Sequence, residues 1–387
     1  MSDQPIRQVW RFGTMSARDP HEPHRVATTL ELFFDLVFVV AVGQAAASLH
    51  HAIVGHHVLE GVAGYAAVFF AVWWAWVNWT WFASAFDNDD PIYRISTFTQ
   101  MFGALVLAAG VSEAFEGRFG IVVIGYAIMR FAMVGQWLRA ALSNPGVRPA
   151  ALRYAAGITA LQILWIARLA ITGAWAWTAF VVLVVAELTL PWWVERVRPT
   201  SWHPHHIAER YTLFTLIVLG EAVLASTLAI KSGMTAGAPA LSLALVGVSG
   251  FAVVCSMWWL YTARPAHRFL HDNRYAFSWG YGHYVVFSSI AAFGAGLAAI
   301  VDHKVGRVTD VSTLVLGGAV AVPVACFLLS VWFVHIRPHR PGPACSASYL
   351  VAAPLVLLAP FTPVPLELIA LIMISAVVAT ELTRDDA

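Results

Sequence analysis

Two carboxylates four residues apart, Glu31 and Asp35, interrupt an otherwise apolar run, Leu30-Glu31-Leu32-Phe33-Phe34-Asp35-Leu36-Val37-Phe38. On a helix that spacing puts both acids on one face. In nonpolar surroundings they repel each other unless they share a proton, hold a cation or pair with a base, and each of those states can be coupled to transport. Glu221, in Val218-Leu219-Gly220-Glu221-Ala222, is a third acid of this kind, about 17 Å along a helix from Arg210. Candidate bases are Arg130 and Arg168, and a guanidinium fork makes Arg130 with Asp35 or Glu31 the buried pair to expect. His283 can titrate near neutrality and relay a proton. Such groups are ion-coupling candidates, although pairs of them can also serve only to lock helices together. Glu113, Glu187, Asp302 and Arg94 fall near the ends of apolar stretches, where snorkelling to an interface suffices.

The elements that must position these residues are membrane helices. Of 387 residues, 59% are hydrophobic and only 12% charged, with a mean hydropathy of +0.70, more apolar surface than a soluble globule can hide. A net charge of +1 argues against nucleic acid as a partner. Cys255, Cys326 and Cys345 show neither disulfide nor zinc spacing. Residues 1–28 carry arginines without an apolar core, so no cleavable signal peptide is expected. Apolar stretches of about 20 residues, enough to span a bilayer, recur near 27–49, 62–85, 92–114, 119–142, 151–171, 174–194, 210–230, 241–263, 275–300, 311–334, 345–361 and 364–382. The expectation is an all-α, polytopic transmembrane bundle of about 12 spans. Asp87-Asn88-Asp89-Asp90-Pro91 supplies a cap and an N1 proline for the third span, and Ser143-Asn144-Pro145-Gly146 breaks the chain after the fourth. Pro360, Pro363 and Pro365 leave the eleventh short, so it is expected to tilt or to form a re-entrant pair with the twelfth.

Twelve spans place seventeen of the 23 Lys and Arg residues on the side of both termini, which is therefore expected to be cytoplasmic, in a bacterial inner membrane. The chain also repeats itself. Trp73-Trp74 recurs as Trp258-Trp259, Asp87-Asn88 as Asp272-Asn273 and Arg25 as Arg210, while Glu187-Leu188-Thr189 recurs later as Glu381-Leu382-Thr383. The spacing predicts two parallel six-helix repeats over 27–194 and 210–382, preceded by a cytoplasmic segment 1–26, joined by a linker 195–209 and followed by a tail 383–387.

Trp73, Trp74, Trp76, Trp79 and Trp81 crowd one helix; Trp73, Trp74, Trp258, Trp259, Asp87 and Asp272 are cavity-lining candidates, with packing the competing role for the indoles. His50, His51, His56 and His57, and again His203, His205 and His206, cluster without a cysteine or fixed acidic ligand, so no metal is assigned. Walker, GxSxG and HExxH motifs are missing from the sequence, and neither a cofactor nor a catalytic residue is expected.

Leu30-Glu31-Leu32-Phe33-Phe34-Asp35-Leu36-Val37-Phe38-Val39 and Glu209-Arg210-Tyr211-Thr212-Leu213-Phe214-Thr215-Leu216-Ile217-Val218-Leu219-Gly220-Glu221 closely resemble the bacterial low temperature requirement A (LtrA) family, as does the Trp-rich second span followed by Phe86-Asp87-Asn88-Asp89. The resemblance covers most of the chain; Tyr211-Thr212 stands where members often carry Phe-Gly. It implies a polytopic inner-membrane protein tied by name to growth in the cold, marks Glu31, Asp35, Glu209, Arg210 and Glu221, and brings no reaction with it. The leading expectation is a proton- or cation-coupled secondary transporter of a small solute, its partners the lipid bilayer and that solute or ion. A non-catalytic scaffold or sensor, and an intramembrane cofactor- or lipid-binding enzyme, are the alternatives.

Overall fold

In the computed structural model, twelve helices among the described residues are long and apolar enough to cross a membrane, and no strand interrupts them. The structure describes Met15, residues 17–19, Glu22 and residues 25–196, 199–270, 273–340 and 342–383. In chain order the helices are α1 Thr29–Val54, α2 Val58–Phe86, α3 Pro91–Ala109, α4 Gly120–Ser143, α5 Arg148–Ala170, α6 Ala174–Glu195, α7 Pro204–Thr235, α8 Ala240–Arg268, α9 Tyr275–Lys304, α10 Thr313–His339, α11 Pro343–Phe361 and α12 Pro365–Leu382. Every predicted span has its helix. The larger differences lie where polar turns extend a helix beyond its apolar core: α7 begins at Pro204, since His205, Glu209 and Arg210 lower hydropathy without breaking the backbone hydrogen bonds.

Local chemistry sets the ends. Thr28 and Glu31 form a reciprocal cap on α1, with Thr28 N donating to Glu31 Oε2 at 2.7 Å and Glu31 N donating to Thr28 Oγ1 at 3.3 Å. Thr28→Ala is expected to lower stability by about 1 kcal/mol, seen as a reduced melting temperature in detergent. On α3, Asp90 accepts from Tyr93 N at 2.9 Å and Pro91 follows it, as the sequence predicts. Asn144 ends α4. The last turns of α10 widen into a π-helix over Trp332–Ile336, and α11 is interrupted between Leu350 and Ala352, so the proline-rich eleventh span is a broken helix of 19 residues followed by a separate α12.

The chain forms two compact units, Met1–Ala41 with Trp74–Ile207, and Val42–Trp73 with Ala208–Ala387. In the first, α3 and α4 approach so closely that a Cβ on Gly125 would lie 2.4 Å from Leu107 N and 2.6 Å from Gly103 O. In the second, a Cβ on Gly296 of α9 would lie 2.4 Å from Ala319 O of α10. α6 leaves most of its surface uncovered and exposes Trp175 and Trp177 near its start and Trp192 and Trp193 near its end, the places where indoles settle at a bilayer interface.

Candidate functional site

In the first unit the Thr28 end of α1, the end of α2 and the start of α7 carry an ionic cluster. Glu31 is fully buried; besides its capping bond it lies 3.0 Å from His206 Nε2, which donates to it. His203 accepts from His206 N through Nδ1 at 3.2 Å, so its proton sits on Nε2 and is donated to Glu22 O at 2.9 Å. Arg25 donates to Ala83 O at 2.7 Å and also to Ser84 O, placing a cation at the carbonyl end of α2. Arg18 pairs with Glu22 at 2.8 Å and stands 3.7 Å from Asp87.

Two acids of the α2–α3 loop respond in opposite directions. Burial, reinforced by the Glu31 carboxylate, pushes the Asp87 carboxyl up to about 6 against the pull of Arg18 and Arg25. Burial also acts upward on Asp90, but hydrogen bonds from Arg139 and Tyr93 N outweigh it and hold that carboxyl below its usual value.

Asp35 is fully buried on α1 and accepts from Trp76 Nε1 of α2 at 2.7 Å. Although Glu31 and Asp35 are one turn apart, as their spacing predicts, each is engaged by a different group. Neither pairs with Arg130. That guanidinium instead donates to Glu187 of α6 at 2.8 Å, and Glu187 also accepts from Trp74 Nε1 at 2.9 Å, Tyr126 OH at 3.1 Å and Trp165 Nε1 at 3.3 Å. Both members of the pair are about 1% exposed. Glu187 is thus not a span-end residue: α6 continues to Glu195, so the carboxylate lies about 12 Å inside the helix end. Four side-chain donors, one of them cationic, offset the desolvation of an ionised carboxylate. Arg168 is no partner for these acids either; its Nε donates to Ala176 O at 3.1 Å and its guanidinium stacks on Phe119 and Phe180.

Of the tryptophans, Trp73, Trp74, Trp76 and Trp79 are all buried, and Trp74 and Trp76 serve as donors to acids as well as packing groups.

In the second unit Glu221 is half-buried and packs over Gly43 of α1, where a Cβ would come within 2.4 Å of Glu221 Oε1. Arg210 is fully buried and Glu209 partly so. His283 donates from Nδ1 to Trp279 O at 2.7 Å, which leaves Nε2 to accept from Tyr261 OH at 3.0 Å. His335 Nε2 is 3.3 Å from the same nitrogen, and Tyr211, Trp279 and Phe287 surround the pair. The sequence offers His283 but not His335, which reaches this position from within the π-turn. Trp258 and Trp259 are exposed rather than lining an enclosed cavity, and Trp259 Nε1 donates to Glu381 at 2.8 Å. The histidines at the far end of α1 meet acids, His50 with Asp302 at 2.9 Å and His56 with Asp310 at 2.7 Å. Asp272 lies outside the described residues.

The segments that supply Glu31, Asp35, Asp87, Arg130, Glu187, Arg210, Glu221 and His283 all fall within residues 26–381, matched by the family model for bacterial low temperature requirement A protein. An uncharacterised protein of Rhizobium meliloti (strain 1021) is 31% identical over 245 residues, which cover 60% of this chain and 57% of that protein, less than two thirds of its length. A family match across nearly the whole chain agrees with its twelve apolar helices: the chain is a multi-pass integral membrane protein and belongs to the bacterial low temperature requirement A family.

Proposed function

We propose that the protein is a secondary transporter that couples a small solute to protons or another cation across the bacterial inner membrane, with both termini cytoplasmic. The observation that carries this reading is Asp35. It lies about 9 Å along an apolar helix, fully buried, with the neutral indole N–H of Trp76 donating to it. A carboxyl inside an apolar span is costly to the bilayer, which makes it a functional-site hypothesis by default.

Two parallel six-helix repeats are part of the proposal. In support, Trp74 donates to Glu187 and Trp259 to Glu381, the acids being displaced by 194 residues. The tight crossing of Gly103 on Gly125 has a counterpart in Gly296 on Ala319, displaced by 193 and 194. Transporters built from such repeats place their sites between the two copies.

In proteoliposomes carrying an imposed pH gradient, the wild type is expected to conduct protons, and Asp35→Asn and Glu221→Gln at equal reconstitution to lose most of that flux. Wild-type flux indistinguishable from empty vesicles would sink the coupled reading. The Arg130–Glu187 pair favours a second reading, a scaffold whose buried charges only fix helix positions; there, neutralising Asp35 changes stability and no flux exists to lose.

A further inference from the structure

Asp87 differs from the other buried acids in how it is held. It follows the last residue of α2, with its N–H still donating to Ala83 O at 3.1 Å, so it sits at the negative end of a 29-residue helix, where the helix dipole disfavours a carboxylate. Each described charged group around it is bonded more closely to something else. On the N-terminal segment, Arg18 is 2.8 Å from Glu22 and 3.7 Å from Asp87, while Arg25 is engaged by the carbonyls of Ala83 and Ser84 and lies 3.5 Å from Glu22. On α1, Glu31 is held by Thr28 N and by His206 of α7; His203 binds Glu22 O. In the loop itself, Asp89 is 2.7 Å from Arg94, and Asp90 is held by Arg139. Among the described residues, Asp87 is left with the guanidiniums of Arg18 and Arg25, both engaged elsewhere, a carboxylate neighbour and a 9% exposed surface through which water can reach it.

We propose that Asp87 is a proton-binding residue, and that the coupling ion is a proton which enters or leaves the first unit through it. The coupling role rests on the transporter reading above; proton binding does not. Burial and the neighbouring Glu31 push the carboxyl up to about 6, inside the range over which a proton is taken up and released near neutral pH, and the helix end acts in the same direction. Glu22 and Asp90, with close arginines, stay below their usual values and cannot do the same.

The test reads protonation and flux separately on the full chain in bilayers. Infrared difference spectra between pH 5 and pH 7.5 are expected to show a protonated-carboxyl stretch in the wild type, with a midpoint near pH 6, that is missing in Asp87→Asn. Arg18→Gln, at a partly exposed position, removes the nearest cation and should raise the midpoint. Because the folded carboxyl holds its proton more tightly than the unfolded chain does, the stability it contributes is full below the usual carboxylate range and is lost as pH rises through 6. The melting temperature of the wild type should therefore fall relative to Asp87→Asn between pH 5 and pH 7.

A wild type without the band, or one whose band Asp87→Asn leaves in place, overturns the proposal. So does proton flux that Asp87→Asn leaves intact. A titrating Asp87 in a wild type without flux overturns the transporter reading instead, and proton binding stands.

Discussion

Glu187→Gln, with Arg130 left in place, is expected to destabilise the folded protein by about 3 to 5 kcal/mol, the usual consequence of stranding one charge of a buried pair. The amide retains the size of the side chain, so the loss belongs to the charge and not to a cavity. The reverse change, Arg130→Met, should be milder, since Trp74, Tyr126 and Trp165 still donate to the carboxylate. Joining Arg130→Met with Glu187→Met removes both charges and is expected to restore most of the stability lost in Glu187→Gln. Melting temperatures of the four proteins in one detergent make the comparison. A Glu187→Gln protein as stable as the wild type would mean that the pair does not hold α4 to α6.

The second large effect is steric. Gly125→Ala puts a methyl group 2.4 Å from Leu107 N and 2.6 Å from Gly103 O. Both are backbone atoms, which cannot turn aside as a side chain would, so α3 and α4 must separate along their shared face. Overpacking of this kind costs about 1 to 3 kcal/mol. Gly135 on the same helix meets nothing within 4 Å; Gly135→Ala should be neutral or slightly stabilising, because alanine is the better helix former. Equal yields of folded, monodisperse protein from the two variants would show that the close crossing is dispensable.

The spans were legible in the sequence because hydropathy is a property of each segment by itself, and a bilayer demands it of every crossing. So was the cap at Asp90-Pro91; the equally local Thr28–Glu31 cap was passed over because Glu31 was read only as a coupling acid. What the sequence could not supply was rotation about each helix axis. Arg130 and Glu187 are 57 residues apart, and Glu31 and His206 are 175 apart. Which acid meets which base depends on the packing of α4 on α6 and of α1 on α7, and no local pattern encodes it. Glu187 was misread although the bounds of its span were right to within a residue: position along α6 alone does not show that its carboxylate turns inward to Arg130 rather than snorkelling outward. His335 was missed for a related reason: the widened turn at Trp332–Ile336 breaks the 3.6-residue spacing from which a facing residue is inferred.

The exposed tryptophans of α6 have a consequence for the lipid. Trp175 and Trp192 are seventeen residues apart in sequence, which on a helix is about 26 Å, a little under the thickness of a typical hydrocarbon layer of about 30 Å. Rings that anchor at both interfaces make α6 a gauge of fixed length. Lipids with longer tails, or tails that straighten on cooling, form a thicker slab, and the helix must then stand upright or thin the bilayer around itself. Acyl-chain length and temperature therefore set how strained this helix is in a vesicle.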